Sequence, residues 1–148
     1  MRSKLARAAV AAALCLALAP LSAGQKRKDK IKEKHFEPVA RQNVRDYAGR
    51  YVGIEDDYVI EVIVGDDGEL SITSREGDRA ATLSDIRLDG AELTATKTYA
   101  NGKRAAFSAT FADRVLNGER AFGLLVKNLR IELPGMTLTQ VFYRRVAE

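Results

Sequence analysis

The chain of 148 residues has one cysteine, one histidine, three prolines and no tryptophan. Its cysteine, Cys15, lies inside an N-terminal apolar run, so the chain beyond that run can form no disulfide. The fold must hold by packing and hydrogen bonds alone. Leu14, not a small residue, precedes Cys15, which argues against a lipid anchor there. The single histidine, His35, has no carboxylate pair beside it and makes a poor metal or catalytic centre. Catalytic signatures are missing as well. Beyond residue 24 there is no Ser-x-x-Lys and no Lys-Thr-Gly, no Gly-x-Ser-x-Gly, no His-Glu-x-x-His and no phosphate-binding glycine loop. No long segment of helical period is available for a βαβ unit. The length suits one domain rather than two.

Charge is unevenly placed. Arg2, Lys4 and Arg7 precede an apolar run from Ala8 to Leu21, and Ser22 and Gly24 put small residues three and one before a cut ahead of Gln25. This reads as a secretory signal peptide over residues 1–24, cut after Ala23 or Gly24, and it predicts an exported protein, periplasmic or secreted. The competing reading, a membrane span, wants about 20 apolar residues and finds a shorter, alanine-rich run. Residues 25–34 carry six basic and two acidic groups, whereas His35 to the end carries 15 basic and 18 acidic. The excess positive charge is thus N-terminal and the remainder mildly acidic. Residues 25–43 read as a basic linker, too polar to order themselves by burial. Lys26, Arg27, Lys28, Lys30, Lys32 and Lys34 give it a weak attraction to anionic surfaces, with a solvated spacer as the plainer reading. No aromatic residues alternate with the lysines, so no nucleic-acid partner is expected.

From Tyr47 onward the pattern is strand and turn. Asp-Gly or Asn-Gly falls at 67–68, 89–90, 101–102 and 117–118, with Pro-Gly at 134–135, each between alternating apolar segments. Apolar matching sets the registers, because a one-residue slip exchanges the faces. A three-residue loop at 66–68, with Gly68 left-handed, pairs Val64 with Leu70 and Val62 with Ile72. A two-residue turn at 89–90 pairs Leu88 with Ala91. A three-residue loop ending at Gly102 pairs Ala95 with Phe107, and a two-residue turn at 117–118 pairs Phe111 with Leu124. One dry face results: Ile86, Leu88, Leu93, Ala95, Phe107, Ala109, Phe111, Phe122, Leu124 and Val126. The wet face carries Thr94, Thr96, Thr98, Arg104, Ser108 and Thr110. The apolar phase shifts after Val126, which predicts a bulge near Lys127–Asn128. The last strand is expected over roughly 137–145. The predicted fold is all-β, an antiparallel meander of about eight strands closing into a small barrel over residues 44–148.

The segments "DYAGRYVG" (46–53), "YVIEVIV" (58–64), "GDDGELSITS" (65–74), "YANGKRAAFSATF" (99–111) and "VFYRR" (141–145) resemble small bacterial lipocalin-like β-domains. Such domains often follow serine-β-lactamase-like catalytic domains, and some stand alone behind a signal peptide. The resemblance covers roughly residues 44–146 and implies the accessory β-barrel alone, without the hydrolase apparatus. It implies that Tyr47, Gly49 and Tyr51 open strand one, with the two tyrosines closing one end of the barrel.

Acidic stretches at "IEDDY" (54–58) and "GDDGE" (65–69) are better explained as turns than as a calcium loop, which needs about six to eight converging oxygens. No metal, cofactor or catalytic residue is assigned. A hollow barrel would line its pocket with Tyr58, Phe107, Phe111 and Phe122; a filled one would bury them as core. The leading expectation is a non-enzymatic exported barrel that binds a small apolar ligand or an envelope protein. A structural module with a filled core is the alternative, and an unrecognised hydrolase or isomerase comes third.

Overall fold

The structure is a computed structural model and describes residues 35–147. The segment 1–24, expected from the sequence to be a signal peptide, and the basic run 25–34 lie outside the described residues. Eight strands close an antiparallel barrel: β2 (Gly49–Val52), β3 (Tyr58–Val64), β4 (Leu70–Glu76), β5 (Arg79–Asp89), β6 (Glu92–Tyr99), β7 (Arg104–Leu116), β8 (Glu119–Lys127) and β11 (Val141–Val146). Strands β2 to β8 form the meander. Strand β11 fits between β8 and β2, and the β7–β8 ladder completes the ring. Closure pairs the edges that an open sheet would expose.

Local chemistry sets most of the registers. The loop at 66–68 pairs Val64 with Leu70 and Val62 with Ile72, and Gly68 takes a φ of 82°. The loop ending at Gly102 pairs Ala95 with Phe107. At 117–118 both turn residues are left-handed, Asn117 at 53° and Gly118 at 84°, and Phe111 faces Leu124. Asn-Gly suits such a turn because its two central residues need positive φ. The expected dry face is the interior: Leu93, Ala109, Phe111 and Leu124 are all fully buried. Burying a leucine or phenylalanine side chain stabilises by about 1.5–3 kcal/mol. Of the expected wet face, Thr110 is buried instead. Its hydroxyl donates to Glu92 Oε1 at 2.9 Å, and Lys127 Nζ donates to the same carboxylate at 3.1 Å.

Four expectations are corrected. The linker assigned to 25–43 contains a strand, β1 (His35–Pro38), which pairs with β7 beyond the end of β6 and matches Phe36 with Arg114. The ring of Phe36 meets Phe142 at 5.5 Å, and Glu37 pairs with Arg120. These contacts order a segment whose composition alone reads as solvated. The β5–β6 turn sits at 90–91, not 89–90, so Leu88 pairs with Leu93. The bulge lies between Ser84 and Arg87, where Asp85 adopts a φ of 53°, and its extra residue keeps both Leu83 and Leu88 turned inward. At Lys127–Asn128 there is instead a strand end, with Asn128 left-handed at 59°. The chain then forms a separate hairpin, β9 (Ile131–Leu133) and β10 (Met136–Leu138), before the last strand begins at Val141.

Both ends of the barrel are covered. A short 3-10 helix, Val44–Tyr47, crosses the upper end, which carries the 65–69 and 90–91 turns. At the lower end, where β8 gives way to β11, Leu129, Ile131 and Leu138 pack against the core.

Candidate functional site

The upper half of the interior is filled with aromatic rings. Asn43 caps the 3-10 helix by accepting from Arg45 N at 3.0 Å, and the helix directs Tyr47 inward. The Tyr47 hydroxyl donates to Gly90 O at 3.1 Å and accepts from Arg41 N. Its ring stacks on Phe111 at 4.2 Å. Phe122 lies 6.1 Å from Phe111, and the guanidinium carbons of Arg41 and Arg145 each stand 4.7 Å from its centroid. Tyr51 donates to Tyr47 O at 2.6 Å. Burial pushes its hydroxyl up to about 12, against the pull of Arg145 and Arg41. Tyr47 and Tyr51 thus close the upper end of the barrel.

The four residues expected to line a hollow pocket are placed differently from one another. Phe111 and Phe122 join the aromatic cluster, Phe107 is buried in the core, and Tyr58 packs against the core as a half-buried residue. None of them lines either depression described below.

An open cleft lies to one side, in the barrel wall. The β4–β5 ladder runs only from Ile72↔Leu83 to Glu76↔Arg79. Above it the bulge at Asp85 carries β5 away from β4. The gap, about 600 Å³, is lined by Val44, Leu70, Leu83, Ile86 and Leu88, with Glu69, Ser84 and Asp85 among its polar groups. These five aliphatic side chains also belong to the core or pack against it, so the cleft continues the interior outward. A volume of this size suits a small organic molecule. A second depression of about 610 Å³ lies across β2–β6, with Arg50, Glu61 and Arg75 beside Thr73, Thr82 and Thr98, and with Ser74, Ala81 and Tyr99 also in its lining.

Below the cleft the interior turns polar. Lys97 faces inward, 4% exposed, and pairs with Glu76. Its ammonium sits 5.0 Å from the Tyr99 ring centroid, and Tyr99 donates to Glu76 Oε2 at 3.5 Å. Ser74 Oγ is buried without a hydrogen-bond partner. Burial raises the Tyr143 hydroxyl well above the usual tyrosine range, and Glu76, Tyr58 and Tyr99 add to the shift. Sequence reading missed this group and placed Lys97 on neither face. The parity of "ELTATKTY" held the signal, because Lys97 shares its phase with Leu93 and Ala95.

Among the described residues no cluster of three His, Cys, Asp or Glu side chains is placed to hold a metal ion. No described helix is long and apolar enough to cross a membrane. Against known proteins, no family model, no curated protein and no solved structure matches this chain.

Proposed function

We propose that this chain is an exported, non-enzymatic binding module of the cell envelope that takes a small apolar ligand in the cleft between β4 and β5. The observation that carries the reading is that Leu70, Leu83, Ile86, Leu88 and Val44 line a gap the ladder leaves open, beside Glu69, Ser84 and Asp85. A barrel selected only for stability would close that gap, since strands sharing a ladder bury more apolar surface and satisfy more backbone groups. The resemblance to stand-alone lipocalin-like β-domains supports the same reading. The signal-like leader supports export, and N-terminal sequencing of the exported protein is expected to start at Gly24 or Gln25.

Binding of an apolar fluorescent probe tests the reading. The wild-type chain should bind saturably. Ile86→Arg, which puts a charge at the half-buried lining, should weaken binding by at least about tenfold while the far-ultraviolet spectrum keeps its strand signature. Equal probe binding by both forms would remove the cleft from the account. The competing reading, a structural module with a filled core, draws on the packed aromatic cluster around Phe111. It predicts no saturable uptake by either form.

A further inference from the structure

Barrel closure removes free strand edges, yet part of β5 keeps one. Up to Leu83 the strand is paired on both sides, with β4 and with β6. Above the bulge, Arg87, Leu88 and Asp89 pair with Thr94, Leu93 and Glu92 of β6, and no residue of β4 pairs with them. On the facing lip, Leu70 and Ser71 pair with Val64 and Ile63 of β3 alone. Among the described residues no loop hydrogen-bonds to the backbone of 85–89. A strand with a ladder on one side points alternate N–H and C=O groups to the other. The opening therefore has backbone donors and acceptors along its walls as well as aliphatic side chains. From Ser84 to Leu88 the free lip is about 13 Å long, which suits four or five extended residues.

Charge narrows the choice of occupant. The charged side chains that line the opening are Glu69 and Asp85, both acidic. Asp66 and Asp67 stand in the hairpin loop beside Glu69, whose N–H donates to Asp67 Oδ1 at 3.0 Å. Two cations are near. Arg45 donates to the Asp66 carbonyl at 3.1 Å, and Arg104 comes within 3.9 Å of Asp85 with both groups exposed, a pair of little strength. The rim is left net negative. A second copy of this chain offering the same edge would set these carboxylates against their own counterparts, which argues against self-pairing.

We infer that the β4–β5 opening receives an extended polypeptide segment of alternating apolar and basic residues, which adds to β5 as a strand. Its backbone pairs with the free edge above the bulge. Alternation turns every second side chain toward Leu70, Ile86 and Leu88, and leaves the basic ones at the rim with Glu69 and Asp85. The inference goes beyond the small-ligand reading, because it uses the backbone of the wall; the two share the aliphatic floor.

The test uses the full chain and end-blocked peptides: Lys-Val-Lys-Val-Lys-Val-Lys, its counterpart with Glu for Lys, and two forms of the lysine peptide N-methylated at alternate residues, one for each edge. Fluorescence anisotropy should show saturable binding of the lysine peptide, at least about tenfold tighter than the glutamate peptide. One of the two methylated forms should bind at least about tenfold more weakly than the parent, because its edge toward β5 cannot donate. Amide hydrogen exchange within 85–89 should slow when the lysine peptide is bound. Glu69→Gln combined with Asp85→Asn, which keeps a residue type that tolerates the left-handed bulge, should bring the two charged peptides within about threefold of each other and leave uptake of the apolar probe unchanged. Equal binding of the parent and both methylated forms means side-chain contact without a ladder, and overturns the inference while the cleft keeps its apolar ligand. Protection confined to β1, which pairs with β7 alone, overturns it too. Probe uptake without peptide binding has the same meaning. A chain that takes up neither probe nor peptide overturns both readings.

Discussion

Phe111 shows what a single side chain contributes to this barrel. It is fully buried, stacked on Tyr47 and set between Tyr51 and Phe122. Phe111→Ala should cost about 3–5 kcal/mol, measured as a lower denaturant midpoint at unchanged slope. A loss below about 1 kcal/mol would mean that the ring borders empty space. Tyr47 works differently, because its hydroxyl ties Arg41 and Gly90 together across the upper end. Tyr47→Phe keeps the ring and removes the tie. It leaves Arg41 N and Gly90 O to water at a part-exposed site, so about 0.5–1.5 kcal/mol should be lost, far less than at Phe111. If the two substitutions cost the same, the helix would be held by the hydroxyl more than by ring packing.

At the scale of elements, the bulge in β5 is the feature from which the cleft follows. Asp85 holds a left-handed conformation at 53°, which a β-branched residue tolerates poorly. Asp85→Val should therefore destabilise by about 1–2 kcal/mol, whereas Asp85→Gly should be neutral or mildly stabilising. Thermal melts of the two variants check this, and equal melting temperatures would contradict the strained-bulge account. The same strand shows where sequence reading reached its limit. Turns built on Asp-Gly or Asn-Gly were legible because their positive φ leaves a chemical mark, as at Gly68, Gly102 and Asn117–Gly118. The bulge at "SDI" has no glycine, so the register slipped by one residue at the following turn while the apolar faces stayed right. Strand β1 was hidden in a charged stretch, since a four-residue edge strand takes its order from β7 and from the Phe36–Phe142 contact rather than from its own composition. In the candidate site, the aromatic residues were legible as interior but not as packed, because ring stacking depends on a 3-10 helix that no periodicity announces. Lys97 and Ser74 were on the correct parity for the interior and were passed over because polar side chains default to solvent.

The described residues form a barrel plugged above by tyrosine and phenylalanine, capped below by a hairpin and open at one side. Its stability should carry the mark of the plug at high pH. Tyr51 has its folded-state pKa raised above the ordinary value of 10.0 to about 12. Its contribution is fully present below pH 10 and is lost as the pH climbs toward 12, because the unfolded chain releases the proton first. Burial of Tyr143 acts in the same direction. Denaturant midpoints between pH 8 and 12 should fall steeply above about 10, and Tyr51→Phe should soften that fall. A flat profile would show that neither hydroxyl is shielded. Central to the account is the claim that the side opening holds a ligand, and native mass spectrometry of the chain isolated from its native source tests it most directly. The expected spectrum shows a small molecule retained by the wild-type protein, released on unfolding, and missing from Ile86→Arg prepared in the same way. A spectrum of bare wild-type protein, from a preparation that also fails to take up added 1-decanol, would contradict it.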